Sequence, residues 1–147
     1  MRRGRRLGID VGAVRVGIAH SDPDGILASP LEVVNRRGGD NFALRRIQEI
    51  VEEVDPVELV IGDPTSLDGK ARQSADKARR FAQKIVDRTG LPVRYVDERF
   101  TTTQAHLMLQ AAGKSSKQRR ETVDAQAAVV ILQTALDALA REDNSGD

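Results

Sequence analysis

The chain has 147 residues, of which 39% are hydrophobic and 31% charged; its formal net charge is +1 and it contains no cysteine. That size and apolar content suit one domain with its own core and exclude general disorder. Without thiols, disulfide scaffolds, thiolate metal centres and cysteine nucleophiles are excluded, so any metal must bind through oxygen or histidine.

Leu7-Gly8-Ile9-Asp10-Val11 is short, apolar and β-branched, and Gly12 breaks it. Arg15 to His20 begins a second such run, so the simplest reading is a tight hairpin. After the turn signal Asp22-Pro23-Asp24-Gly25, Ile26 to Asn35 reads as a third strand, with Pro30 placing it at an edge or bending it. Gly38-Gly39-Asp40 supplies a break and an N-cap, and Phe42, Ile47, Ile50, Val51 and Val54 predict a helix that stops at Pro56. Val57 to Gly62 is a buried strand. A loop from Pro64 to Lys70 leads into a helix whose stripe is Ala71, Ala75, Ala78, Phe81, Ala82, Ile85 and Val86, with Gly90 as its C′ residue. Leu91 to Val96 makes a fifth strand. A short helix capped by Thr101 or Thr102 ends at Gly113, and the last helix runs from about Lys117 to Ala140, its alanines permitting close packing.

The order βββ, α, β, α, β, αα predicts an α/β fold: a mixed five-stranded sheet, three antiparallel strands followed by parallel crossovers, with helices on both faces. That order matches the RNase H-like plan. One domain is expected over residues 1–141, with 142–147 as a flexible tail. The basic opening, Met1 to Arg6, runs into a strand-like segment instead of the apolar region of a signal peptide, and no apolar run nears the roughly 20 residues that span a bilayer. The expectation is a cytoplasmic protein with no membrane partner.

In this plan the first strand is central, and Asp10 would project from its middle or end into a groove. Burying a lone carboxylate is costly, so such a residue normally has a cation, a metal or several amide donors; the plainer reading is that it accepts bonds from the Gly12 to Arg15 turn. Asp97 and Glu98 follow the fifth strand, and alternation sends them to opposite faces, so only one can join Asp10. Glu98 is our choice, with Asp97 capping a turn or pairing with an arginine. Asp124 lies early in the last helix beside Ala127 and Ala128, on a side that suits close approach to the sheet; an exposed acid favoured by the helix dipole is the alternative. Converging Asp10, Glu98 and Asp124 would make a catalytic and metal-binding set suited to Mg²⁺ or Mn²⁺, which prefer hard oxygen ligands. Two such ions, about 3.5–4 Å apart, can serve an in-line phosphodiester displacement. His20 and His106 receive no catalytic role.

Taken together, the segments Leu7 to Ala19, Val96 to Thr102 and Asp124 to Gln133 closely resemble the YqgF, or RuvX, family of bacterial RNase H-like proteins, over essentially residues 6–140. The resemblance implies a nuclease, linked in that family to trimming the 5′ end of pre-16S ribosomal RNA and alternatively to Holliday-junction resolution, with the family's carboxylates falling on Asp10, Glu98 and Asp124. One departure stands out. The family usually has a Gly-Leu-Pro-like turn after the fourth strand, whereas Gly62-Asp63-Pro64 stands here, which makes Asp63 a possible additional metal ligand.

Aromatic residues are few, with three Phe and one Tyr, so no stacking platform for single-stranded bases is evident. Contacts to nucleic acid should instead be made to phosphates, by Arg15, Arg99, Lys114, Lys117, Arg119 and Arg120, giving strong salt dependence and little sequence readout. The partner would be pre-rRNA or branched DNA, and the protein a monomer or homodimer; a resolvase needs two active sites and hence a dimer. Two other readings stand beside these. Gly8 to Gly12 resembles the phosphate loop of actin-like ATPases, but the second such loop and second domain are missing. A non-catalytic RNA-binding assembly factor on the same fold would work unchanged with Asp10→Asn.

Overall fold

The computed structural model describes the backbone of residues 3–63, 70–97 and 116–145, with side chains throughout except at 70–72, 74, 116–124 and 143–145. The elements are β1 (Arg6–Val11), β2 (Arg15–Ser21), β3 (Ala28–Asn35), α1 (Asp40–Val54), β4 (Glu58–Asp63), α2 (Lys70–Thr89), β5 (Val93–Asp97) and α3 (Ser116–Ser145). The predicted short helix ending at Gly113 lies outside the described residues.

The strands form one five-stranded sheet in the order β3-β2-β1-β4-β5. β1 pairs antiparallel with β2 and parallel with β4, and β5 continues the parallel half. β1 is therefore central. The sheet's apolar residues divide between two cores, one on each face, as the twofold period of a strand requires. Leu7 and Ile9, with Leu59 and Ile61 of β4, pack under Leu44, Ile47 and Ile50 of α1 and Phe81 and Ile85 of α2. Val60 and Ala19 face the other way, against Ala128, Ile131, Leu132 and Leu136 of α3. The sheet is thus covered on both faces, α1 and α2 on one and α3 on the other.

β3 occupies an edge, where Pro30 has no missing ladder partner to betray; the register slips between Ile18 and Ala19, which face Glu32 and Pro30. α1 starts after Gly39, at φ 101°, and ends where Asp55 turns left-handed (φ 54°) and its amide donates to the Val51 carbonyl, just before Pro56. Gly90 closes α2 at φ 67° with its amide on the Val86 carbonyl, as its C′ position predicts.

Two details differ from expectation. Phe42 is 62% exposed, and the buried stripe of α1 is Ala43, Leu44, Ile47 and Ile50; position 42 is out of phase with Ile47 on a 3.6-residue period, so its apolar character misleads. α3 continues to Ser145, past the expected end at Ala140 and into the expected tail, because no glycine or proline interrupts it before Gly146.

The β2–β3 turn is built on one carboxylate. Asp22 Oδ1 accepts from the amides of Ile26 and Leu27, both at 2.8 Å, and Oδ2 from that of Asp24 at 3.2 Å. The Leu27 amide, with those of Ile26 and Asp24, holds the Asp22 carboxyl below its usual range. A carboxyl held low in the folded state stabilises above its unfolded value and loses that contribution as pH falls through its folded value. Asp22→Asn should therefore melt below wild type at pH 7, with the gap closing below about pH 4. Thermal midpoints across pH 3–7, approximately the carboxylate range, check this, and a gap that stays constant would deny the carboxylate its role.

Candidate active site at the carboxyl end of the central strands

Asp10 is the penultimate residue of β1 and stands opposite Gly17 of β2. It is partly buried. Alternation along β1 puts it on the same face as Gly8, away from Ile9 and Val11, and therefore on the α3 side. Gly8 explains how α3 comes so close: a Cβ there would lie 2.7 Å from Leu132 Cβ and 2.8 Å from the Ala128 carbonyl oxygen. The helix backbone rests on a residue that has no side chain.

The direction of α3 follows from Gln133, whose Nε2 donates to the Ile26 carbonyl and whose Oε1 accepts from the Ala28 amide, both at 2.9 Å. Ala28 pairs with Ser21, at the end of β2 that lies beside Leu7. α3 accordingly runs antiparallel to β1, with its later turns near Leu7 and its earlier turns toward Val11. Position 124 stands one turn before Ala128 on that ridge, on the Asp10 side of Gly8.

Arg15 opens β2 two residues from Gly17, so it shares both the face and the sheet end of Asp10. Between them the hairpin is fixed: the Gly12 amide donates to the Arg15 carbonyl at 2.9 Å, and a Cβ on Gly12 would meet that same oxygen at 2.6 Å. The parallel strands β1, β4 and β5 end side by side here, the place where open α/β sheets bind their ligands.

Asp63 and Asp97 are register partners at the ends of β4 and β5. Asp63 follows Ile61 onto the α2 side, where its Oδ1 lies 3.3 Å from Nε of Arg79, which also pairs with Asp76. The structure thus gives Asp63 a cation on the face opposite Asp10. Val96 packs against the α3 core, so Asp97 lies on the other face, as alternation predicts for one of the two acids.

Glu98, Arg99 and Lys114 lie outside the described residues. Lys117, Arg119, Arg120 and Asp124 belong to the first turns of α3, whose side chains there are not described. Among the described residues no three Asp, Glu or His side chains gather closely enough to hold a metal. The oxygen donor that is described, Asp10, is of the hard type that Mg²⁺ and Mn²⁺ take. No helix among the described residues is long and apolar enough to cross a membrane.

Sequence reasoning missed Arg36. It follows β3 and looks like a solvated loop cation beside Arg37, yet its side chain is 14% exposed and its Nη1 donates to the Gly12 carbonyl at 2.7 Å. Nothing local signals this, because its partners Gly12 and Phe81 are far away in the chain.

Comparison with known proteins agrees with this architecture. A protein of Mycobacteroides abscessus named "Putative pre-16S rRNA nuclease" is 50% identical over 146 residues, covering 99% of this chain and 88% of its own. One of the same name from Streptomyces coelicolor is 49% identical over 139 residues, covering 94% and 83%. Among solved structures, T. thermophilus RuvC in complex with a Holliday junction substrate superposes with a TM-score of 0.62 at 17% identity, covering 94% of this chain and 96% of that one. The Fowlpox virus resolvase, solved with Holliday junction DNA, gives 0.58 at 10%, covering 92% and 98%. These two likenesses establish an RNase H-like fold. The RuvX family model, described as a Holliday junction resolvase, matches residues 4–138, and the chain belongs to that family.

Proposed function

We propose that this protein is a metal-dependent nuclease that hydrolyses phosphodiester bonds of structured nucleic acid, with 5′-end maturation of pre-16S rRNA as its task. The observation that carries this reading is the placement of Asp10 at the carboxyl end of the central strand, on the face that α3 covers, with the early turns of α3 running toward it. The high identity to relatives named as pre-16S rRNA nucleases supports the substrate.

In this reading Asp10, Glu98 and Asp124 are the catalytic carboxylates and together hold Mg²⁺ or Mn²⁺. Glu98 is assigned to this set by its place in the sequence directly after β5 and by the family's carboxylate pattern. When bound, such an ion supplies positive charge to the attacking and leaving oxygens of an in-line displacement. The chain's own task is to fix the carboxylates and seat the phosphate. Arg15, on the face and at the end that Asp10 occupies, is suited to the phosphate, and Arg99, Lys114, Lys117, Arg119 and Arg120 extend the basic surface. Asp63, paired with Arg79, is left out of the metal set.

Resolution of Holliday junctions by a dimer is the second reading, favoured by the family description. The two are separated by incubating the protein with a 5′-extended 16S precursor and with a four-way junction, each in Mg²⁺ and in chelator. We expect the precursor to be shortened only in Mg²⁺. Paired symmetrical nicks in the junction, with the precursor untouched, would move the assignment to resolution, and full cleavage in chelator would remove the metal.

A further inference from the structure

Arg36 does more than its place in the chain suggests. Its guanidinium lies 4.3 Å from the centroid of the Phe81 ring, Nη1 donates to the Gly12 carbonyl at 2.7 Å, and Nη2 pairs with Asp40 Oδ1 at 3.0 Å. Its backbone amide donates to the Val14 carbonyl at 2.8 Å. Two of the hairpin's carbonyls are therefore held by one residue, rooted through Asp40 on α1 and through Phe81 on α2. Its Nε is buried without a partner among the described residues. For packing alone this is a poor choice, because an apolar side chain could cover Phe81 without burying a charge.

We infer that Arg36 is a positioning residue of the active site: from the α1/α2 side of the sheet it fixes the Gly12–Arg15 hairpin, and so sets where Asp10 on one stem and Arg15 on the other are presented. Arg36 packs against Phe81, in the core under α1 and α2, while Asp10 and Arg15 belong to the α3 face. It therefore acts through the hairpin backbone. Gly12 is the joint, with its amide on Arg15 and its carbonyl on Arg36, and no room for a Cβ. A fixed backbone is what a metal-binding carboxylate needs from its surroundings, since the partners that orient ligands are worth about 10–100-fold in affinity or activity.

This inference rests on the nuclease reading, so its test carries one readout that needs no cleavage. Arg36→Met and Arg36→Lys are compared with wild type for kcat and KM, well below their melting temperatures, and for hydrogen exchange at the Gly12 amide. Arg36→Met should lower kcat by about 10-fold or more with KM changed less than about 3-fold, and should speed Gly12 exchange relative to amides in the middle of β1. Arg36→Lys, which can still donate to the Gly12 carbonyl, should recover part of both and serves alone if the methionine variant does not fold. Unchanged kcat and unchanged Gly12 exchange in a folded variant would overturn the inference. Faster Gly12 exchange in the Arg36 variants, beside a wild-type protein that cleaves nothing, would leave the clamp standing and sink the nuclease reading.

Discussion

Asp10→Asn should abolish metal-dependent cleavage, by at least about 100-fold, while leaving the fold in place. Outer partners of a metal ligand are already worth about 10–100-fold, and a ligand that loses its charge should cost no less. Asparagine keeps the size and one oxygen of the side chain but not the negative charge that a hard dication needs. The structure predicts little damage elsewhere. β1 is held by its backbone ladders to β2 and β4 and by Leu7 and Ile9 beneath α1 and α2, none of which involves the Asp10 side chain. Cleavage rate and Mg²⁺ affinity should fall together, while the circular dichroism spectrum stays that of the folded wild type. Retained cleavage would leave the carboxyl end of β1 without its assigned chemistry and move the metal site elsewhere in the protein.

The sheet was legible because its strands carry two kinds of signal. Leu7, Ile9, Val16 and Ile18 alternate with small or polar residues, and Gly12, Pro23, Gly25, Gly39, Pro56 and Gly90 punctuate the chain where it turns. Chain order then leaves little choice of topology, since a parallel crossover must return beside β1. The position of Asp10 at the end of a central strand could be read the same way. What could not be read depends on partners distant in sequence. The pairing of Asp63 with Arg79 is invisible until alternation with Ile61 along β4 turns it to the α2 side. Arg36 looks solvated until the hairpin and α2 are brought to it. Phe42 looks buried because hydrophobicity, without phase, does not say which side of a helix faces the sheet.

The second large effect should come from a residue with no side chain. Gly8→Ala should lower stability by about 1–3 kcal/mol, the usual cost of overpacking a filled core. In a domain of this size that is a midpoint lowered by about 3–10 °C. Alanine is ordinarily the better strand residue, by about 0.5–1 kcal/mol, so intrinsic propensity predicts the opposite sign. Contact distances decide against it. The new methyl would meet Leu132 Cβ at 2.7 Å and the Ala128 carbonyl oxygen at 2.8 Å, and the second of these is backbone, which no change of rotamer can withdraw. α3 would have to lift or slide. Because the helix runs from Leu132 back past Ala128 toward the Asp10 end of β1, such a shift would also carry position 124 away from its proposed partners. Cleavage should then fall well beyond the fraction of protein unfolded, even where the variant is fully folded by circular dichroism. Leu132→Gly in the same chain would relieve only one of the two clashes, so it should not restore activity. A Gly8→Ala protein as stable and as active as wild type would mean that α3 does not rest on β1 as the structure has it, and the geometry that brings the last helix to Asp10 would have to be abandoned.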